Sequence, residues 1–253
     1  LTSQSPRRRE MISIIDWRLA RCEERGVMMR FNTLADANTV LAEKPDVVII
    51  ATGGLPHTEV LSAGNDLVVS SWDILSGDVK PGRNVLVFDD AGDHPALQAA
   101  EVIAQSGAKV EVMTPDRSFS PEVMAMNLVP YMRSLQKHDV TFTVTFRLES
   151  VQRDGDGLLA MVGSDYGGVR KERRVDQVVV NHGTRPLDDL YFELKAQSSN
   201  QGAVDYTALI EGQPQAAPTA GSGGFQLFRV GDAVSARNTH AAIYDALRLV
   251  KDL

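Results

Sequence analysis

The stretch Phe228–Ala246, FRVGDAVSARNTHAAIYDA, decides how this chain folds. An apolar strand through Val230 runs into a Gly231-Asp232 turn, and a helix begins near Asn238 or Thr239. A strand that passes through a glycine turn into a helix leaves backbone N–H groups aimed at whatever lies beyond the strand end. Gly231 permits close backbone approach and Asp232 offers an acceptor to sugar-like hydroxyls. The helix start offers donors to phosphates or electron-rich carbonyls. The same residues also read as an ordinary turn that Asp232 merely caps, so the rest of the chain must choose.

Working outward, a second strand ends the same way. Asp46 to Ala51 (DVVIIA) is a continuous apolar run, the pattern of a strand covered on both faces in a parallel sheet, and it closes in Thr52-Gly53-Gly54-Leu55-Pro56. Ligands of open α/β sheets sit beyond the carboxyl ends of the strands. Thr52, Gly53 and Gly54 are therefore expected to line one cofactor cleft with Gly231, Asp232, Ala233 and the helix start Asn238, Thr239, His240 and Ala241.

Before the Asp46 strand, apolar residues Met11, Ile14, Ile15, Leu19 and Cys22 recur at helical spacing from Arg8 to Arg25, and Gly26 supplies a stop. Val27 to Asn32 reads as a short strand and Leu34 to Glu43 as a short helix. Val60 to Pro81 is a connection with an apolar piece at Val68-Val69 and a helical turn from Trp72 to Leu75. A βαβ unit follows: strand Asn84–Phe88, helix Ala96–Gln105 and strand Lys109–Met113. After a helix from Pro121 to His138 come strands at Val140–Thr145, Arg147–Gln152, Leu158–Gly163 and Arg174–Asn181. The Asp154–Gly157 and Asp165–Gly168 turns make the middle ones a meander packed on the parallel sheet.

Asn181–Pro186 (NHGTRP) closes this unit much as Ala51–Pro56 (ATGGLP) closes the first. The parallel implies two related nucleotide-binding-type domains, residues 1–80 with 195–253 and an inserted domain at 81–194. Leu187 to Gly224 is polar, 213–224 reads as a flexible loop, and a final helix runs to Leu253.

Composition narrows the function. With 253 residues, 43% hydrophobic, 23% charged and a net charge of −7, this is the profile of a soluble, cytoplasmic globular protein with no basic footprint for nucleic acid. Arg7-Arg8-Arg9 is too short a run to argue otherwise and reads as a solvated helix edge. No apolar run approaches the ~18 residues of a membrane span. Cys22 is the single cysteine, so a disulfide framework and a cysteine-ligated cluster held by this chain alone are excluded; it reads as a packed or half-exposed thiol. His57 and His182 lie beside glycine-proline turns, where a lone histidine is more often structural than catalytic. The eight Met residues read as core filler.

The βα turn of the inserted domain is acidic: Asp89-Asp90-Ala91-Gly92-Asp93-His94. Carboxylates facing a pyrophosphate would repel it, so NAD(P)H binding of the usual kind is not expected there. The turn could instead hold a ribose hydroxyl or a cation, or Asp93 could cap the helix near Pro95. No Gly-x-Gly-x-x-Gly fingerprint occurs. Together with an opening on Leu1 rather than Met, this gives the expectation that the chain is a piece of a longer polypeptide.

These residues resemble a family. DVVIIATGGLP (Asp46–Pro56), GDAVSAR (Gly231–Arg237) with its helix, and VLVFDDAGDHPALQAAE (Val85–Glu101) look like the C-terminal half of the trimethylamine-dehydrogenase and dienoyl-CoA-reductase type of iron-sulfur flavoprotein. SSWDILSG (Ser70–Gly77), VVVNHGTRPLDDLYFELK (Val178–Lys195) and HAAIYDALRLVKDL (His240–Leu253) look most like the dimethylglycine and N-methylproline demethylases. The resemblance implies an α/β fold of two nested Rossmann-like, glutathione-reductase-like domains, the first truncated. It implies FAD, or ADP only, at the cleft above, with FMN and a [4Fe-4S] cluster in an absent N-terminal barrel. It further implies an N-methylated amino acid substrate bound by that barrel and an electron-transfer flavoprotein or ferredoxin-type acceptor; an oligomer is possible, and the charge and hydropathy above argue for no nucleic acid and no membrane. The fragment alone would be inactive. Alternatives are an NAD(P)H:flavin oxidoreductase of the enoate-reductase type and a non-catalytic docking module.

Overall fold

The computed structural model describes residues 1, 3, 5–215 and 224–251; part of the loop read at 213–224 and the end of the last helix lie outside them. After a 3-10 stretch Pro6–Ile12 come α1 (Ser13–Glu24), α2 (Ala37–Ala42), β1 (Val47–Ile50), β2 (Gly54–Pro56), β3 (Val69–Ser70) and α3 (Ser71–Ser76). The βαβ unit is β4 (Asn84–Asp89), α4 (His94–Gln105) and β5 (Lys109–Met113), followed by α5 (Ala125–Lys137) and β6 (Thr141–Thr143). The meander is β7 (Arg147–Asp154), β8 (Gly157–Gly163) and β9 (Arg170–Val175), after which β10 (Gln177–Asn181) and β11 (Thr184–Pro186) lead to α6 (Asp189–Lys195). The chain ends with α7 (Tyr206–Glu211), β12 (Gln226–Arg229) and α8 (Thr239–Val250).

Two compact units result: unit 1 is Leu1–Met28 with Pro56–Gly183, and unit 2 is Met29–Leu55 with Thr184–Leu253. The divisions fall at 28/29, 55/56 and 183/184. Val60–Pro81 goes with unit 1 because β3 pairs with β10, Val69 opposite Val179. Residues from Thr184 onward go with unit 2 because Tyr191 and Leu194 of α6 are buried in its core.

Unit 1 is a five-stranded sheet in the order β3-β10-β4-β5-β6, each pairing parallel. Its central strands β4 and β10 are apolar and buried on both sides, as a sheet covered on both faces requires. Val85, Val87, Val110 and Val112 pack against α4 and α5 (Leu97, Ile103, Tyr131, Leu135), while Leu86, Phe88 and Val178 pack against the meander (Leu148, Val151, Ala160, Val162). Arg173 of β9 ties the meander to β5 through a two-nitrogen grip on Glu111, at 2.7 and 3.1 Å.

In unit 2, β1 and β12 run parallel with Ile50 opposite Arg229. Alternation along β12 sends Leu227 into a core with Val48, Ile50, Tyr191 and Leu194, and Phe228 into another with Val230 and Leu249 of α8. β2 and β11, the strands after the two proline-closed turns, pair with each other.

Several expectations are corrected. Val27–Asn32 forms no strand, and its apolar residues Val27, Met28 and Phe31 are exposed; among the described residues no strand pairs with it, and an unpaired strand has no ladder to hold it. The helix read from Arg8 begins only at Ser13 and buries none of its residues, but its stop is as read. Gly26 adopts φ 68°, with Gly26 N bonded to Glu23 O and Val27 N to Cys22 O, the Schellman pattern. The strand read as Arg174–Asn181 is two strands in two sheets. Asp176 separates them by wrapping the start of β4: its N–H donates to Asn84 O and its carboxylate accepts from Asn84 N. The polar stretch from Leu187 contains α6 and α7.

The Arg run and the methionines also differ. Arg9 is exposed, but Arg7 pairs with Glu101 and its guanidinium lies 4.6 Å from the centre of the Tyr131 ring, while Arg8 reaches His94 Nδ1 at 2.9 Å. Met113 is buried, yet Met28, Met124 and Met126 are exposed. Among the described residues no helix is long and apolar enough to cross a membrane.

Candidate functional site

Parallel pairing of β1 and β12 fixes the site, because it brings the two glycine turns side by side at the carboxyl ends of adjacent strands. Val230 N donates to Ile50 O at 3.0 Å, so the Thr52-Gly53 turn and the Gly231–Ala233 turn leave the sheet at the same level. Gly53 has φ 73° and open space where a side chain would project. Gly231 has φ 62°, and a Cβ there would lie 3.1 Å from Ala242 of α8; only glycine suits both the conformation and the approach. The second turn is a 3-10 turn rather than the helix itself, and α8 begins at Thr239 with Asn238 as its N-cap.

The donors of this region are partly committed. Gly231 N donates to Asp245 on α8 at 3.3 Å, and the same carboxylate binds the Arg237 side chain. Asp232 Oδ1 accepts from Arg237 N, and Asn238 Oδ1 from Ala241 N at 2.9 Å. The N–H groups of Thr239 and His240 open α8, where a helix offers no intrahelical acceptor; both residues are exposed. Asp232 is half-buried and Ala233 buried. Gly54 stands apart: it sits in β2 against β11, where a Cβ would come within 2.5 Å of Arg185 O.

The sequence reading missed the segment that braces both turns. Thr52 Oγ1 donates to Leu187 O, and Leu187 N donates to Gly53 O at 3.0 Å. Asp188 forms an ion pair with Arg229, the last residue of β12. That guanidinium also donates to Ala233 O at 3.3 Å and stacks over Tyr191 at 4.6 Å. Asp188 and Arg229 are 41 positions apart, so no local spacing marks them; only the fold makes them partners.

Unit 1 has its own strand-turn-helix after β4, and there the acidic residues turn inward. Asp89 is fully buried and accepts from Gly92 N at 2.9 Å and Asn181 Nδ2 at 3.0 Å. Burial pushes its pKa up to about 6. Asp93 occupies the N-cap position of α4 without capping; its carboxylate accepts from Asn181 Nδ2 at 2.8 Å, and burial raises its pKa. Asp90 faces His182 and Arg147, which hold its pKa down. The His182 side chain is buried beside Asp90 and packs edge-on to Phe88. The expectation that these carboxylates face a pyrophosphate is thus corrected. Among the described residues no group of His, Cys, Asp and Glu could hold a metal ion.

The fold is α/β with parallel sheets and two glycine turns at the carboxyl ends of adjacent strands. No family model matches the chain. Over its whole length it is 71% identical to a protein described as a probable N-methylproline demethylase from Rhizobium meliloti (strain 1021), of which it spans 37%. It is 43% identical to an N,N-dimethylglycine/sarcosine dehydrogenase from Chromohalobacter salexigens, spanning 38% of that protein. Among solved structures it resembles a 2-naphthoyl-CoA reductase with a TM-score of 0.75 and 26% identity, over 98% of this chain and 33% of the other. The resemblance drawn from the sequence strings is borne out, and the chain spans well under half the length of each of these proteins.

Proposed function

We propose that unit 2 holds the ADP portion of FAD, or ADP itself, at the carboxyl ends of β1 and β12. The polypeptide containing it then takes part in oxidative demethylation of an N-methylated amino acid of the N-methylproline or dimethylglycine kind. The carrying observation is the side-by-side placement of the two glycine turns, with open space at Gly53 and helix-start donors at Thr239 and His240. The residues fit the group. Phosphate oxygens would meet the α8 N-terminus, a ribose or ribityl hydroxyl would meet Asp232, and Gly53 would let the ligand approach the backbone.

In such a demethylation a hydride leaves the N-methyl carbon, and water hydrolyses the resulting iminium to formaldehyde and the secondary amine. A bound flavin supplies the storage of the electron pair between donor and acceptor. FMN and a [4Fe-4S] cluster, implied by the sequence resemblance, would lie outside this chain, since Cys22 is its single cysteine. Electrons would leave to an electron-transfer flavoprotein or ferredoxin-type acceptor.

Denaturing the purified native polypeptide and separating the released cofactors tests the reading. FAD or ADP is expected in the supernatant in proportion to protein. Release of FMN with no adenine nucleotide would sink the site and favour a docking module.

A further inference from the structure

Arg229 stands two residues before Gly231, and its contacts reach both the Gly231–Ala233 turn and the segment that braces it. It ends β12, and its guanidinium bonds Asp188, donates to Ala233 O at 3.3 Å, and stacks on Tyr191 at 4.6 Å and Phe192 at 5.5 Å. Asp188 follows Leu187, whose backbone is tied to Gly53 and Thr52. The two glycine turns are therefore joined through one dipeptide, on one side by backbone bonds and on the other by the arginine. We infer that Arg229, held by Asp188, is a positioning residue that sets the placement of the Gly231–Ala233 turn against the Thr52-Gly53 turn, and so sets nucleotide affinity.

The inference rests on the reading that unit 2 binds an adenine nucleotide. Its chemistry is specific to arginine, because a planar fork can serve the Asp188 carboxylate and the Ala233 carbonyl together while its face lies on an aromatic ring. A lysine keeps the charge and the ring contact but not the fork. Asn at 188 keeps the shape and loses the charge.

The test uses the native polypeptide stripped of cofactor, with Arg229→Lys and Asp188→Asn, and reads two quantities. ADP affinity is measured by calorimetry, and amide hydrogen exchange is measured at Val234 and Ser235, whose N–H groups bond Gly231 O at 2.9 and 3.3 Å. Arg229→Lys should weaken ADP about tenfold, the equivalent of one charge-assisted hydrogen bond, and speed exchange at both amides comparably. Asp188→Asn should move both in the same direction by less. Unchanged exchange in both variants overturns the inference, as does unchanged ADP affinity where exchange has risen. A wild-type protein that binds no ADP overturns the site reading instead, and the exchange arm still decides whether Arg229 holds the turn.

Discussion

Asn181 and Asp89 face each other across β10 and β4 as register partners, and the Asn181 side-chain amide donates to Asp89 Oδ1 at 3.0 Å. The carboxyl has no exposed surface and its pKa is pushed up to about 6, so the native state favours the protonated form. Its contribution is full below the unfolded value of 3.8 and is lost as pH rises through about 6. Asp89→Asn keeps an acceptor for Gly92 N and puts an amide toward Ser120 Oγ, so it should stabilise the protein above pH 6 and flatten the pH dependence between about 4 and 6. Urea midpoints across that range check it; a variant that is less stable at pH 7.5 and keeps the wild-type slope would refute the assignment.

Arg7 and Glu101 supply a second test. The Glu101 side chain is 5% exposed and its partner Arg7 reaches it from the N-terminal 3-10 stretch. Removing one member of a buried pair leaves a charge without compensation, at about 3–5 kcal/mol. Arg7→Met should fall at the low end of that range, because Arg7 is itself 28% exposed. Adding Glu101→Leu should recover much of the loss, and a double-mutant cycle of denaturant midpoints measures the coupling. Additive losses would mean that the pair is not coupled.

What could be read from residues alone follows the reach of the physics. The continuous apolar runs at β1, β4 and β5, and the turn chemistry of the meander, are local signals, and the structure has them where the pattern puts them. The helix start near Asn238 or Thr239 was legible because the signals that open a helix act within its first turn, and Asn238 is the N-cap there. Arg7 and Arg8 looked like a solvated edge because the groups that receive them are distant in sequence: Glu101 lies 94 positions from Arg7, and His94 lies 86 positions from Arg8. Arg229 and Asp188 escaped for the same reason. The acidic β4–α4 turn was located correctly but its side chains were aimed wrongly, since the partner that turns Asp89 and Asp93 inward is Asn181, 92 and 88 positions on.

Gly53 and Gly54 adjoin in sequence but should behave differently. A methyl on Gly53 meets nothing within 4 Å, so Gly53→Ala incurs only the φ 73° conformation, about 1 kcal/mol. A methyl on Gly54 would lie 2.4 Å from Thr184 Cγ2 and 2.5 Å from Arg185 O, an overlap worth about 1–3 kcal/mol in a packed setting. Gly54→Ala is expected to lower stability more, and Gly53→Ala to lower ADP affinity more, because its methyl enters the space assigned to the ligand. Thermal unfolding and calorimetry on the two variants separate these effects. Wild-type affinity in Gly53→Ala would place the ligand elsewhere.

The last prediction is that unit 1 does not take NADH or NADPH. A pyrophosphate above a βα turn needs free backbone N–H groups and room. Here Asp90 N and Ala91 N both donate to Asn181 O, at 3.0 and 3.2 Å, and Gly92 N donates to Asp89. Glu122 N closes onto Gly92 O at 3.0 Å, and a Cβ on Gly92 would lie 2.7 Å from Pro121 Cδ, so the segment before α5 sits against the turn. Asp89 and Asp93 both accept from Asn181, so repulsion by outward-facing carboxylates, the reason first read from the sequence, is not the basis for expecting no binding. The turn's donors are used internally and Pro121 lies against its glycine. Titrating the native polypeptide with either nucleotide should give no saturable heat and no bleaching of the flavin absorbance. Micromolar binding with bleaching would mean that the Ser120–Glu122 segment moves aside, and exchange protection at the amides of Asp90, Ala91 and Gly92 would then fall before nucleotide arrives.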